Sequence, residues 1–257
     1  MMGAALRNIW TPPSTRRKAS VALCVCSHRK VDVSVVSQCM PLFANKVHDY
    51  TWIPMTGEAD ISQARSRAAS YFYMKMKDDV LVFIDDDIIF KKEDLAKIVN
   101  HVLDDKLICG AMYVQKPTLN KTVVLEDGDS ITFSKDAKVK KVVSLPTGFM
   151  AISRSVFDVL IKAKKPNGDP LVPLCNAGAS WAFYPFFDSQ PIKMDDGAWR
   201  FVPEDWSFCL YARNCGIDTW CDPSVFLGHV GDYTYSLADR LLPSKVAMDE
   251  NFSLTMR

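Results

Sequence analysis

No run of apolar residues in this chain reaches the length of a membrane span, and its amino terminus has no apolar core of signal-peptide length. An integral membrane segment is therefore not expected, and a cytoplasmic setting is the simplest account. Charge of one sign is also missing. Lysine and arginine total 31 against 30 acidic residues, a net charge of +1, so no long-range field favours nucleic acid as a partner. None of the eight cysteines (Cys24, Cys26, Cys39, Cys109, Cys175, Cys209, Cys215, Cys221) forms a Cys-x-x-Cys pair, which removes zinc-ribbon and thioredoxin-like readings. Several lie in apolar runs such as Val-Ala-Leu-Cys-Val-Cys and suit small core residues. Internal repeats and low-complexity tracts are absent. What remains is ordinary for a globular protein: 257 residues, 48% hydrophobic, enough for one large α/β domain or two small ones.

Residues 1–19 carry Pro12-Pro13 and the basic run Arg16-Arg17-Lys18, and read as a surface arm. Ser20 to Cys26 reads as a first strand, opening into the polar turn Ser27-His28-Arg29-Lys30. A helix over 33–43 and a strand near 49–54 follow. Asp60 is placed to cap a helix on which Ile61, Ala64, Ala68, Tyr71 and Phe72 recur at helical spacing as one buried stripe. A strand at 81–84, a helix at 93–103 and a strand at 107–114 continue the alternation, which predicts a largely parallel, three-layer sheet. Between Pro117 and Val143 the pattern shifts to short β-like runs, expected as a small antiparallel insertion. A strand over 147–152 and a helix over 154–164 come next. Residues 165–200, with Trp181, Tyr184, Phe186, Phe187 and Trp199, suit an ordered, irregular binding surface.

Within this frame the stretch Leu81-Val82-Phe83-Ile84-Asp85-Asp86-Asp87-Ile88 stands out. A buried strand runs directly into three carboxylates, and ligands of open α/β sheets sit past the carboxyl ends of strands. Clustered carboxylates out of water want a cation. Side chains alternate along a strand, so Asp85 and Asp87 share a direction in which a hard divalent metal could bind, and Asp86 faces the other way. A solvated acidic turn is the alternative from these residues alone.

A second constellation lies downstream. Pro203-Glu204-Asp205-Trp206 opens a helix that runs through Arg213 and closes at Gly216. Two carboxylates in the first turn suit the helix dipole, which would lower their pKa; one of them could take a proton from a substrate hydroxyl. His229 then sits in an apolar strand between Gly228 and Gly231, with Val230 intervening. A core histidine and a metal ligand are both compatible with that setting. A histidine nitrogen beside carboxylate oxygens would favour manganese over magnesium.

Taken in order, four segments resemble a glycosyltransferase of the GT-A fold, family-2-like: Ile61-Ser-Gln-Ala-Arg-Ser-Arg-Ala68, Phe83-Ile-Asp-Asp-Asp-Ile88, Thr147-Gly-Phe-Met-Ala-Ile152, and Glu204-Asp-Trp-Ser-Phe-Cys209 through Leu227-Gly-His229. The resemblance spans roughly residues 20–232. It implies a Rossmann-like three-layer α/β/α domain with a mostly parallel central sheet, residues 20–115 forming the nucleotide-sugar half and 116–232 the acceptor half. Residues 233–257 would be a tail or a lid over the donor, and Leu237–Leu242 equally suits a plain surface helix.

The same resemblance assigns roles. Asp87 would bind the metal, with Asp85 on the metal or the ribose and His229 completing the metal shell. Asp86 would hold the nucleotide or a neighbouring basic residue, Ser27, His28 and Arg29 would line the nucleotide pocket, Arg65 would contact the diphosphate, and Gly148 would let the sugar approach closely. Asp205 would be the acceptor base, with Glu204 as second candidate; retaining relatives also place an acid here, so stereochemistry stays open. The implied activity is transfer of a single sugar from a nucleotide-diphosphate sugar, UDP before GDP, to a hydroxyl of a glycan or other acceptor. The implied cofactor is a divalent metal, Mn2+ before Mg2+. Competing readings are a sugar nucleotidyltransferase, disfavoured because Cys26-Ser27-His28-Arg29 is not glycine-rich, a metal-dependent phosphohydrolase, and an inactive carbohydrate-binding relative.

Overall fold

The computed structural model describes residues 18–27, 31–44, 47–116, 122–126, 129–176, 182–193, 197–231, 234–236 and 253–256. Most of the basic arm, His28 and Arg29, Trp181, and most of the carboxyl-terminal lid segment with its 237–242 helix lie outside the described residues.

The first strand, β1 (Ser20–Ser27), is buried along nearly its whole length. Its side chains alternate between two separate cores, which shows that both faces of the sheet are covered. Ala22, Cys24 and Cys26 join a core with α2 (Ile61–Lys75), α4 (Arg154–Lys162) and α5 (Glu204–Asn214). Val21, Leu23 and Val25 join the opposite core with α1 (Val33–Phe43) and α3 (Lys92–Leu103). The result is the expected three-layer α/β/α architecture.

The remaining strands of the central sheet are β2 (Asp49–Thr56), β3 (Val80–Asp85), β5 (Ile108–Gly110), β7 (Lys140–Val142), β8 (Phe149–Ser153) and β11 (Thr219–Cys221). Their order is β2-β1-β3-β8-β5-β11-β7. Strands β2, β1, β3, β5 and β11 point one way, and β8 and β7 run against them. Sequence alternation alone did not reveal the reversal of β8. Parallel neighbours need a helical crossover, and no helix lies between β5 and β8 among the described residues.

The 117–143 region is less self-contained than expected. Strand β7 extends the main sheet, Val124 bridges Ser144, and β6 (Ile131–Ser134) pairs with the distant β14 (Ser253–Met256). The α2 stripe also needs correction. Ala64, Ala68 and Phe72 are buried, but Ile61 and Tyr71 are 40% and 44% exposed. Small residues take their place, because this face carries backbone from another segment. Ser66 exchanges hydrogen bonds with the Phe187 amide and carbonyl, and Ser70 accepts from the Tyr184 amide. Asp60 caps the helix by accepting from the Ser62 and Gln63 amides. At the end of α5, Gly216 adopts φ +79°, and the Gly216 and Ile217 amides return to the Arg213 and Ala212 carbonyls. That is the glycine-terminated stop the sequence predicted.

After β11, Asp222 turns the chain towards β12 (Gly228–Val230). It is 1% exposed, bonds His101 Nε2 at 2.9 Å and accepts from Ser224, with Lys97 at 3.3 Å. Burial alone would raise this carboxyl, but hydrogen bonds from His101 and Ser224, with the charge of Lys97, hold it at about 2. A depressed carboxylate contributes stability above its unfolded pKa and loses it as pH falls through the folded value. Asp222→Asn should therefore cost on the order of 2.6 kcal/mol at pH 7, read by urea unfolding. The difference from wild type should shrink as pH falls from about 4 towards 2. A pH-independent difference would show that the ionised carboxylate is not what stabilises the turn.

Candidate active site

Parallel pairing of β1 and β3 sets Cys26 opposite Asp85, so Ser27 and the acidic turn leave the sheet at the same edge. Asp85 is held on both oxygens. Arg65 Nη2 donates to Oδ1 at 2.6 Å, and the Tyr113 hydroxyl donates to Oδ2 at 3.3 Å. Burial, then Asp85, push the Tyr113 phenol well up, so it remains a donor. The Asp85 amide donates to the Gly148 carbonyl at 2.9 Å. Gly148 is required for this contact: a Cβ there would sit 2.5 Å from both Asp85 Oδ2 and Tyr113 Oη.

Arg65 is 5% exposed and also donates through Nη1 to Glu204, the first residue of α5. Burial would lower its pKa, but Asp85 and Glu204 outweigh that and keep it firmly protonated. With both terminal nitrogens taken by carboxylates, Arg65 is a buried tie between two segments. The residue for which the resemblance implied a diphosphate contact is thus held by Asp85 and Glu204.

Asp87 lies in a different environment from Asp85. The short strand β4 (Ile88–Ile89) pairs antiparallel with β12, placing His229 opposite Ile88. The Val230 amide donates to the Asp87 carbonyl at 2.7 Å. His229 Nε2 comes within 3.3 Å of Asp87 Oδ2, and Lys116 Nζ within 2.6 Å of the same oxygen. Burial would raise the Asp87 carboxyl, but the bonds to His229 and Lys116 win and hold it below the ordinary range. His229 Nδ1 lies 2.8 Å from the Val114 carbonyl, and its ring meets Tyr113 edge-on at 4.9 Å. A carbonyl only accepts, so Nδ1 donates to Val114. Asp86 faces away from this pair, towards buried Ser27. Burial raises its carboxyl, the Ser27 hydrogen bond partly offsets that, and Asp87 and Asp85 add to the rise.

The second constellation separates into two roles. Glu204 is the partner of Arg65, whereas Asp205 accepts only a local bond from the Trp206 amide at 2.7 Å, among the hydrogen bonds of the described residues. Helix-dipole reasoning predicts a low pKa for Asp205, and the structure reverses it. Burial, then the neighbouring Glu204, push this carboxyl up to about 6, with Arg65 offsetting only part.

The structure thus brings together Asp85, Arg65 and Glu204 in one cluster and Asp87 with His229 in another. His28 and Arg29 lie outside the described residues. Among the described residues no group of three or more His, Cys, Asp or Glu side chains is placed to hold a metal ion. Lys116 and Tyr113 were missed by the sequence reading, since a lone lysine or tyrosine after a strand carries no spacing signal. The aromatic region is also divided. Phe186 and Phe187 are core residues, with Phe187 stacked on Phe208 at 4.5 Å, while Trp199 and Phe201 are 69% and 72% exposed. Thr147 Oγ1, Trp206 Nε1 and Ser207 Oγ are buried without a hydrogen-bond partner among the described residues, and they lie within two positions of Gly148 or Asp205.

Residues 47–161, rather less than half of the chain, match Glycosyl transferase family 2. No curated protein matches the chain. Among solved structures, the crystal structure of A197 from STIV superposes with a TM-score of 0.53 at 16% identity, covering 83% of this chain and 86% of that one. The crystal structure of GalNAc-T7 with UDP, GalNAc and Mn2+ aligns at 13% identity over 83% of this chain and 43% of that one. Its TM-score of 0.43 is too low to inform the fold. The family match takes in α2, the acidic turn after β3, and β8 with Gly148 before it, while Glu204, Asp205 and His229 lie outside it. That segment is thus similar to glycosyl transferase family 2, and the three-layer sheet shares the fold of A197.

Proposed function

We propose that the enzyme moves a single sugar from a nucleotide-diphosphate sugar, UDP before GDP, to a hydroxyl of a glycan or glycoconjugate, with a divalent metal held at Asp87 and His229. One observation carries the metal assignment. Nδ1 of His229 is tied to the Val114 carbonyl, and Nε2 of the same ring lies 3.3 Å from the Asp87 carboxylate. A ring nitrogen tied to a backbone carbonyl is the usual support of a metal-bound histidine, and the carboxylate beside its other nitrogen offers a second ligand. One oxygen and one nitrogen donor suit manganese better than magnesium. Two protein ligands leave room for diphosphate oxygens from the donor. When bound, such a metal would neutralise charge on the departing diphosphate.

The chain's own groups account for the rest. Ser27 and Asp86, at the open edge of β1 and β3, are assigned to the nucleotide. Asp85 and Arg65 position: they fix the acidic turn against α5. Asp205 is assigned as the base. It accepts the acceptor hydroxyl's proton while the bond from anomeric carbon to diphosphate oxygen breaks and the new glycosidic bond forms. A carboxylate titrating about 6 is a stronger base than an ordinary aspartate and is still ionised at neutral pH. Exposed Trp199 and Phe201 lie on β10 (Trp199–Val202), the strand that leads into Asp205. Their position supports an acceptor that offers an apolar sugar face.

Thermal unfolding should rise by several degrees with UDP and manganese together, as expected for a ligand at ~100 times its dissociation constant. Asp87→Ala should lose this shift and keep its fold. Unchanged nucleotide affinity in that variant would remove the metal assignment. The base needs its ionised form, so kcat/KM should fall about tenfold per pH unit below about 6 and level off above it. An acid limb near 4 would exclude Asp205. Asp205→Asn should slow transfer by about 10²–10⁴-fold with donor affinity unchanged.

A further inference from the structure

Resting on the metal assignment above, we infer that Lys116 occupies the cation site until it is displaced, and that metal and nucleotide diphosphate consequently bind with positive coupling. Lys116 Nζ donates to Asp87 Oδ2 at 2.6 Å and also to the Val230 carbonyl. His229 Nε2 approaches the same Oδ2 at 3.3 Å. The groups that meet there are a carboxylate, a backbone carbonyl and an imidazole whose other nitrogen is committed to Val114. The carboxylate and the carbonyl suit a cation, and the ammonium supplies one.

The cradle is fixed and its occupant is not. Val230 and Asp87 are joined through the backbone at 2.7 Å, inside the β4–β12 pairing. Lys116, by contrast, reaches in on a flexible four-carbon stem and is 28% exposed at its side chain. An ammonium and a divalent metal would compete for Asp87 Oδ2, and their like charges exclude joint occupancy at contact distance. Metal binding alone must therefore expel Lys116 from its two acceptors. A diphosphate arriving with the metal gives the expelled ammonium a new anionic partner. Each ligand then lowers the cost of the other, and the coupling is reciprocal.

The test is isothermal titration of the full chain with MnCl2, alone and with saturating UDP, on wild type, Lys116→Met and Lys116→Gln. In wild type, UDP should tighten Mn2+ by about tenfold or more. The neutral variants should bind Mn2+ alone about tenfold more tightly than wild type, gain less from UDP, and hold UDP more weakly at saturating Mn2+. If Asp87→Ala abolishes Mn2+ binding but both Lys116 variants bind Mn2+ alone no tighter than wild type, the metal assignment stands and the role of Lys116 is overturned. Wild type that binds no Mn2+ with UDP, or with GDP in its place, overturns both. Independent binding of Mn2+ and UDP to wild type overturns the coupling without recourse to any variant.

Discussion

A guanidinium that is 5% exposed has to be matched by carboxylates, and Arg65 is matched by two that come from distant parts of the chain. Asp85 ends the third strand, and Glu204 begins the helix that carries Asp205. Removing one partner of a buried pair costs about 3–5 kcal/mol, because the other charge is left uncompensated. The tie therefore fixes the end of β3 against the start of α5. Other features follow from it. Gly148 must lack a side chain because Asp85 and Tyr113 crowd its Cα, and Glu204 is committed to Arg65. Glu204 in turn raises the neighbouring Asp205 carboxyl, so the ion pair that anchors the helix also adjusts the acid beside it.

The acidic turn shows how three consecutive aspartates acquire three environments. Asp85 is paired with Arg65 and Tyr113, Asp86 turns to Ser27, and Asp87 meets His229 and Lys116. Strand alternation separates Asp86 from its neighbours, but it does not separate Asp85 from Asp87. That separation comes from the chain bending out of β3 into β4, which pairs with β12 in a second, smaller sheet. The bend carries Asp87 away from the buried guanidinium and towards the imidazole.

Much of the fold was legible from local pattern. The apolar runs of β1 and β3, the Asp60 cap and the Gly216 stop depend on neighbours a few residues away, so sequence periodicity and turn chemistry report them. The site was legible in its residue types and chain order. Its pairings were not. Asp85, Asp87, Glu204, Asp205 and His229 were all singled out as candidates, yet nothing in the sequence indicated that Arg65 would bind Glu204 or that Lys116 would reach Asp87. Those contacts join residues 139 and 29 positions apart.

The sequence by itself determined a three-layer α/β chain with acidic residues at the end of a buried strand and at the start of a later helix. Secondary structure and burial follow from local spacing, which the sequence states directly. Tertiary structure decided which carboxylate is spent on a buried arginine, which is free to titrate about 6, and which stands opposite a histidine. Ionisation and ligation depend on desolvation and on charges within a few ångströms, and those neighbours exist only once strands and helices distant in sequence have packed.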